Sequence, residues 1–271
     1  MARTLPAGLA PVVEELELER PELVTTASLA QIIARHQLRT PVRVVASRLR
    51  DRGWLLATGE RGVWEFAPGA HAGPVGRGEV TLPLQAALRR RPDLGCGLTL
   101  QSAAWAHGAA DRVPVRLEIA AFDPATARVL KTAGRVSTFG PVLATTTLRN
   151  VPVLAVDSVL THMATHPDTV RSWSSATEWL PDLAIEAAGE HLAAELAERP
   201  IRVTIRLGYL LEGLRPDLAL RLHEWAEASG RTRTVWFGSR AAPTRRRSAR
   251  WRVTDTLLPF DPADLKPGLP R

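Results

Sequence analysis

The sequence predicts an α+β protein built in two parts. Three observations carry that expectation. Two short amphipathic helices and a tight β-hairpin follow one another within the first 66 residues, a Gly- and Pro-rich stretch fills 67–78, and the remainder mixes helical with alternating patterns.

Taken in order, residues 9–19 (LAPVVEELELE) read as a leading helix. Thr26 to His36 (TASLAQIIARH) reads as a second, with Leu29, Ile32 and Ile33 on its apolar side, and Gln37 to Thr40 as a short turn. Thr40 is a natural N-cap, Pro41 suits the first helical position because its missing N–H would be unpaired there, and Gly53 is the expected stop. Between them, Val42, Val45, Leu49 and the stem of Arg52 share one face, and Arg43, Ala46, Ser47 and Arg50 the other. Trp54-Leu55-Leu56 and Val63-Trp64-Glu65-Phe66 are apolar strands around a turn, Thr58 to Gly62, with Arg61 at its tip. Helix, short turn, Arg-bearing helix and hairpin is the order of a winged helix-turn-helix, whose second helix enters a major groove where Arg pairs with guanine or phosphate. From 35 to 52, six arginines (35, 39, 43, 48, 50 and 52) face one acid, Asp51, a local charge of +5.

The Gly/Pro-rich stretch places a border near residue 77, giving domains 1–77 and 78–271. In the second, Leu84–Arg91, Thr99–Gly108, Leu154–Thr165, a longer acidic run Thr177–Arg199 and Pro216–Ser229 read as helices, and Val115–Ala120 as a strand. Ile201–Leu211 fits either period, since Ile201, Val203, Ile205 and Leu207 alternate while Ile201, Thr204, Ile205, Gly208 and Leu211 make a helical seam. Thr232–Phe237 and Trp251–Thr254 read as paired strands.

Composition narrows the function. The chain has 271 residues, 45% hydrophobic and 23% charged, as soluble globular proteins do, and a net charge of +7 that suits a polyanion partner. Lys occurs only at 131 and 266, so Arg abundance partly reflects a GC-rich genome and clustering is the better guide. The lone Cys96 supports neither a disulfide framework nor a Cys-based metal site, and a reducing cytoplasm is expected. Neither a signal peptide nor a membrane span is expected, and no cofactor.

A second basic run holds arginines 231, 233, 240, 245, 246, 247, 250 and 252 without an acid. Pro243 to Ser248 reads as a mobile loop, and Arg245, Arg246, Arg247 and Arg250 as a further phosphate contact or a dock for RNA or an acidic partner. Catalytic patterns are thin. His162 and His166 stand i,i+4 without an acidic or Cys companion, and Asp217 after Pro216 reads as favourable first-turn charge. A nuclease built on Asp217 and targeted by the winged helix is the alternative.

The chain resembles AbiEi-type antitoxins of abortive-infection (type IV) toxin–antitoxin systems. The resemblance lies in RVVASRLRDRGWLLATGERGVWEFAPG at 43–69, in LTLQSAAWAHGAADRVPVRLEIA at 98–120, and in the stretches SWSSATEWLPDLA at 172–184, RLGYLLEGLRPDLA at 206–219, RTRTVWFG at 231–238 and WRVTDTLLPF at 251–260. It implies a non-enzymatic, two-domain protein. The N-terminal domain would bind inverted repeats in its own promoter, as a monomer or a DNA-assembled pair, and repress a bicistronic operon. The C-terminal domain would counter a cognate nucleotidyltransferase-type toxin, directly or functionally. By position, DNA reading falls on Arg43, Ser47 and Arg50, with Arg39, Thr40, Arg48 and Arg61 at phosphates or in the wing.

Overall fold

The structure is a computed structural model that describes residues 7–71, 76, 78–230 and 233–268. Its contacts separate into two units, Met1–Leu94 with Val129–Gly134, and Gly95–Arg128 with Arg135–Arg271.

The first unit runs α1 (Ala10–Glu19), β1 (Leu23–Thr25), α2 (Thr26–Arg35), α3 (Val42–Asp51), β2 (Leu55–Ala57), β3 (Val63–Phe66) and α4 (Leu82–Arg90). A capping box starts α2: the Ser28 N–H donates to Thr25 Oγ1 at 3.0 Å and the Thr25 N–H to Ser28 Oγ at 2.8 Å. Leu29, Ile32 and Ile33 of α2 meet Val45 and Leu49 of α3 in one core with Val12, Leu16 and Phe66. That core also takes Ala46, which helical spacing sets on the outer face, while Arg52 is exposed rather than packed by its stem.

Helix α3 begins one residue later than its N-cap pattern suggests. Pro41 takes an extended ψ of 141° and is itself the cap, its carbonyl accepting the Val44 and Val45 N–H groups at 2.9 and 3.2 Å, so Thr40 stands outside. The other end is as expected. Gly53 has φ of +73°, and the Trp54 and Gly53 N–H groups close on the Leu49 and Arg50 carbonyls, both at 2.9 Å, as a Schellman motif requires.

Strand β1 has no counterpart in the sequence reading. It pairs antiparallel with β3, Leu23 opposite Glu65 and Thr25 opposite Val63, so β3 is central in the order β1-β3-β2. Ala67, at the start of the expected linker, is fully buried and donates to the Trp54 carbonyl at 3.0 Å. Gly69–His71 forms a single 3-10 turn, and 72–75 and 77 lie outside the described residues. Helix α4 buries Leu82, Leu84, Ala86 and Ala87 and packs on β1 and β3. The division of contacts therefore comes at Leu94, beyond the border read near residue 77.

The second unit is mixed. It runs β4 (Cys96–Leu98), α5 (Leu100–Ala106), β5 (Glu118–Ala121), α6 (Pro124–Val129), β6 (Arg135–Thr138), β7 (Thr146–Leu148) and β8 (Val151–Val153). Then come α7 (Val156–Thr165), α8 (Trp173–Ala176), α9 (Leu180–Ile185), α10 (Gly189–Leu196), α11 (Ile201–Leu210), α12 (Pro216–Ala228), β9 (Val235–Phe237), β10 (Arg246–Ser248) and β11 (Val253–Asp255). A five-stranded sheet has the order β6-β5-β4-β8-β7, and a three-stranded one β10-β11-β9, with β9 and β11 parallel.

Two readings are corrected here, and one left open is decided. The acidic run 177–199 is two helices, because Ala188 turns extended and gives its N–H to Asp157 Oδ1 at 2.9 Å. Ile201–Leu210 is a helix packed on α7 and α12. It is buried nearly all round, which is why both periods fitted it. The expected loop 243–248 contains β10, antiparallel to β11 with Arg246 opposite Asp255, while Thr232 lies outside the described residues.

Candidate nucleic-acid interface

In the first unit, an open cleft of about 580 Å³ lies between α3, the β2–β3 turn and α4. Arg43, Ala46, Ser47 and Arg50 line it from α3, Arg61 and Gly62 from the turn, and Arg90 from α4. The turn is fastened to the start of α2, since the Thr26 N–H donates to the Gly62 carbonyl at 2.9 Å and its hydroxyl at 3.2 Å. Gly62 has φ of +80°, and a Cβ there would meet Thr26 Oγ1 at 2.7 Å, so this close approach needs glycine.

The arginines of this unit divide by partner. Arg35 is paired with Glu15 and Glu19, and His36 meets Glu15 at 2.7 Å. Arg90 and Arg91 reach Glu60 at 3.4 and 3.5 Å. Arg39, Arg43, Arg48, Arg50 and Arg61 are exposed and make no ion pair among the described residues. The half-buried Ser47 donates its hydroxyl to Asp51 at 3.4 Å, one turn on.

The fold thus gathers Arg43, Ser47, Arg50 and Arg61 around one cleft. Arg39, the half-buried Thr40 and Arg48 are not among its lining residues. Arg90 was missed in the sequence, where the run Arg89-Arg90-Arg91 is the signal that could have found it. No Asp or Glu is among the residues that line the cleft. The surface is chemically suited to an anion.

Residues 94–213 match the family model of the AbiEi antitoxin C-terminal domain. Across both units the fold is similar to the crystal structure of RV2827C protein from Mycobacterium tuberculosis, with a TM-score of 0.79, 24% identity, and coverage of 95% of this chain and 94% of that one. No curated protein matches the chain.

Within the matched residues 94–213 and just beyond them, the candidate catalytic residues are engaged structurally. His162 is fully buried, with Thr99 Oγ1 at 2.7 Å from Nδ1, Ser137 Oγ at 3.2 Å from Nε2, and Phe139 stacked on its ring. Burial first, then the nearby His166 and Arg199, hold its pKa down to about 3. Asp217, just past the family match, is gripped by Arg215 at 3.0 and 2.8 Å, which holds its carboxyl below the usual carboxylate range. Among the described residues no group of three or more His, Cys, Asp or Glu could hold a metal ion, and no helix is long and apolar enough to cross a membrane.

The second basic run is not a uniform patch. Arg246 bridges Asp255 and Asp261 at 3.2 and 3.0 Å and donates to the Phe260 carbonyl at 2.6 Å, which makes it a strut. Arg250 pairs with Glu212 at 3.1 Å. Arg245 and Arg247 are exposed, and Arg231 lies outside the described residues.

Proposed function

We propose that this protein is a non-enzymatic antitoxin that binds duplex DNA through an N-terminal winged helix-turn-helix, represses its own operon in the cytoplasm, and counters a nucleotidyltransferase-type toxin. The observation that carries the reading is the acid-free cleft in which Arg43, Ser47, Arg50 and Arg61 converge, in a chain whose residues 94–213 match the AbiEi antitoxin C-terminal domain. On this reading α3 enters the major groove. Arg43 and Arg50 read base edges, Ser47 allows close approach, Arg39, Thr40 and Arg48 hold phosphates, and Arg61 follows the backbone as the wing.

The test is binding of the promoter fragment upstream of the operon against a scrambled duplex of equal length. Each of Arg43→Ala and Arg50→Ala is expected to cost about 1–3 kcal/mol and to relax sequence preference at one position. Unchanged operator preference in the double variant would retire the assignment of α3. Toxin co-expression with the same double variant separates the two roles: growth is still rescued if antitoxicity belongs to the AbiEi domain.

A further inference from the structure

Part of the second basic run takes part in a different site. In the second unit an open cleft of about 620 Å³ lies between α11, the end of α12 and β9, within the roughly 300–1,000 Å³ typical of ligand pockets. Arg202 and Arg206 line it from one face of α11, an i,i+4 pair, and Arg233 and Arg240 from either side of β9. No Asp or Glu is among its lining residues. Arg202, Arg233 and Arg240 are exposed and make no ion pair among the described residues.

Arg206 is built in more firmly. Its Nε donates to the Trp236 carbonyl at 2.7 Å and its Nη1 reaches the Ala164 and Thr165 carbonyls, both at 3.4 Å. Carbonyls fix its direction without cancelling its charge. Burial and the adjacent Arg202 both disfavour that charge, and Asp168 offsets them only in part. Like charges four residues apart destabilise a helix, so the arrangement costs stability unless an anion occupies the cleft. The turn that brings Arg240 back needs Gly238, whose φ is +102° and whose Cβ would meet Thr256 Oγ1 at 2.6 Å. Trp236 and the neighbouring isoleucines of α11 add an apolar share to the lining.

We propose that this cleft binds a phosphorylated nucleotide, with Arg202, Arg233 and Arg240 on the phosphates, Arg206 as the fixed cationic floor, and the apolar wall beside Trp236 against the base. Arginine suits phosphate because its planar fork pairs two oxygens at once, and an aromatic or apolar wall accepts any base face. The nucleotide can be free or a unit of a single strand, since both present the same phosphate and base.

The experiment uses the full chain carrying Arg43→Ala and Arg50→Ala, so that α3 does not contribute. The probe is a 5′-labelled single-stranded oligoribonucleotide, with ATP and inorganic phosphate as competitors. Combining Arg202→Ala, Arg233→Ala and Arg240→Ala is expected to weaken probe binding at least about tenfold and to lower the slope of log K against log salt by about 2, roughly 0.7 for each phosphate that is no longer neutralised. Arg240→Glu alone gives a second variant acting in the same direction, and melting temperatures no lower than the parent's verify both folds. Displacement by ATP identifies the free nucleotide as the source, and resistance to it identifies the strand. No probe binding, binding unchanged in the triple variant, or displacement by inorganic phosphate as effective as by ATP would overturn the proposal, whatever the promoter binding shows.

Discussion

His162 lies fully buried on α7 with both ring nitrogens engaged, by Thr99 and by Ser137. Its pKa of about 3 in the folded chain, against 6.5 for the free side chain, means that between those values only the unfolded chain binds the proton. Its contribution to stability is therefore complete above pH 6.5 and drains as pH falls toward 3, by up to ~1.4 kcal/mol per pH unit. Urea unfolding at about pH 7.5 and about pH 5 measures that slope, and His162→Gln is expected to flatten it. Glu195 is a second buried group whose partners are all in place. It is fully buried on α10 and accepts the Val142 and Leu143 N–H groups at 2.9 and 3.0 Å, the Ser158 hydroxyl at 2.5 Å, and Arg199 at 3.0 Å. Glu195→Gln leaves Arg199 without its charge partner and replaces an acceptor with a donor. The expected loss is about 3–5 kcal/mol by chemical denaturation, with binding to promoter DNA retained in the native state.

Among the elements, those with local signals were legible in the sequence. Helix α2 has its Leu29, Ile32 and Ile33 face, α3 its Gly53 stop, and the hairpin its Gly-bearing turn, and all appear within a residue or two of the expected bounds. Strands β1, β4, β6, β7 and β8 were not legible: each spans three or four residues, too few for alternation to register, and neighbours far along the chain decide their pairing. The same limit governs the sites. Arg43, Ser47 and Arg50 share a helix face that spacing alone reveals, whereas Arg202 and Arg233 meet only because α11 and β9 border one cleft. Gly208 shows what tertiary context adds to an element. A Cβ there would run into the indole of the fully buried Trp251, so this helix carries a glycine at its closest approach to Trp251. Gly208→Ala should raise helix propensity and still destabilise the fold by roughly 1–3 kcal/mol through overpacking, read as a lower melting temperature. A neutral or stabilising result would mean that Trp251 can move aside.

For the whole molecule, a net charge of +7 matters less than where unpaired cations gather. Many arginines are spent on carboxylates and carbonyls, as Arg35, Arg199, Arg215 and Arg246 are. Of the rest, Arg43, Arg50 and Arg61 line the α3 cleft, and Arg202, Arg233 and Arg240 the α11–β9 cleft. If α3 docks on a duplex, log K for the promoter should fall linearly with log salt. Arg48→Ala should then reduce the slope by about 0.9 while leaving the ranking of sequences intact. A changed ranking would move Arg48 from the phosphates to the bases.

The first unit takes back residues 129–134 after the chain has built β4, α5, β5 and α6 elsewhere, and Leu130 of that segment is fully buried beside α4. A nascent chain leaving the ribosome cannot complete this N-terminal unit when its first 94 residues emerge; the last piece arrives some forty residues later. Recombination between relatives faces the same constraint. A crossover near Leu94 separates α4 from the segment that covers it, so a transplanted N-terminal unit keeps its native seal only when 129–134 travels with it.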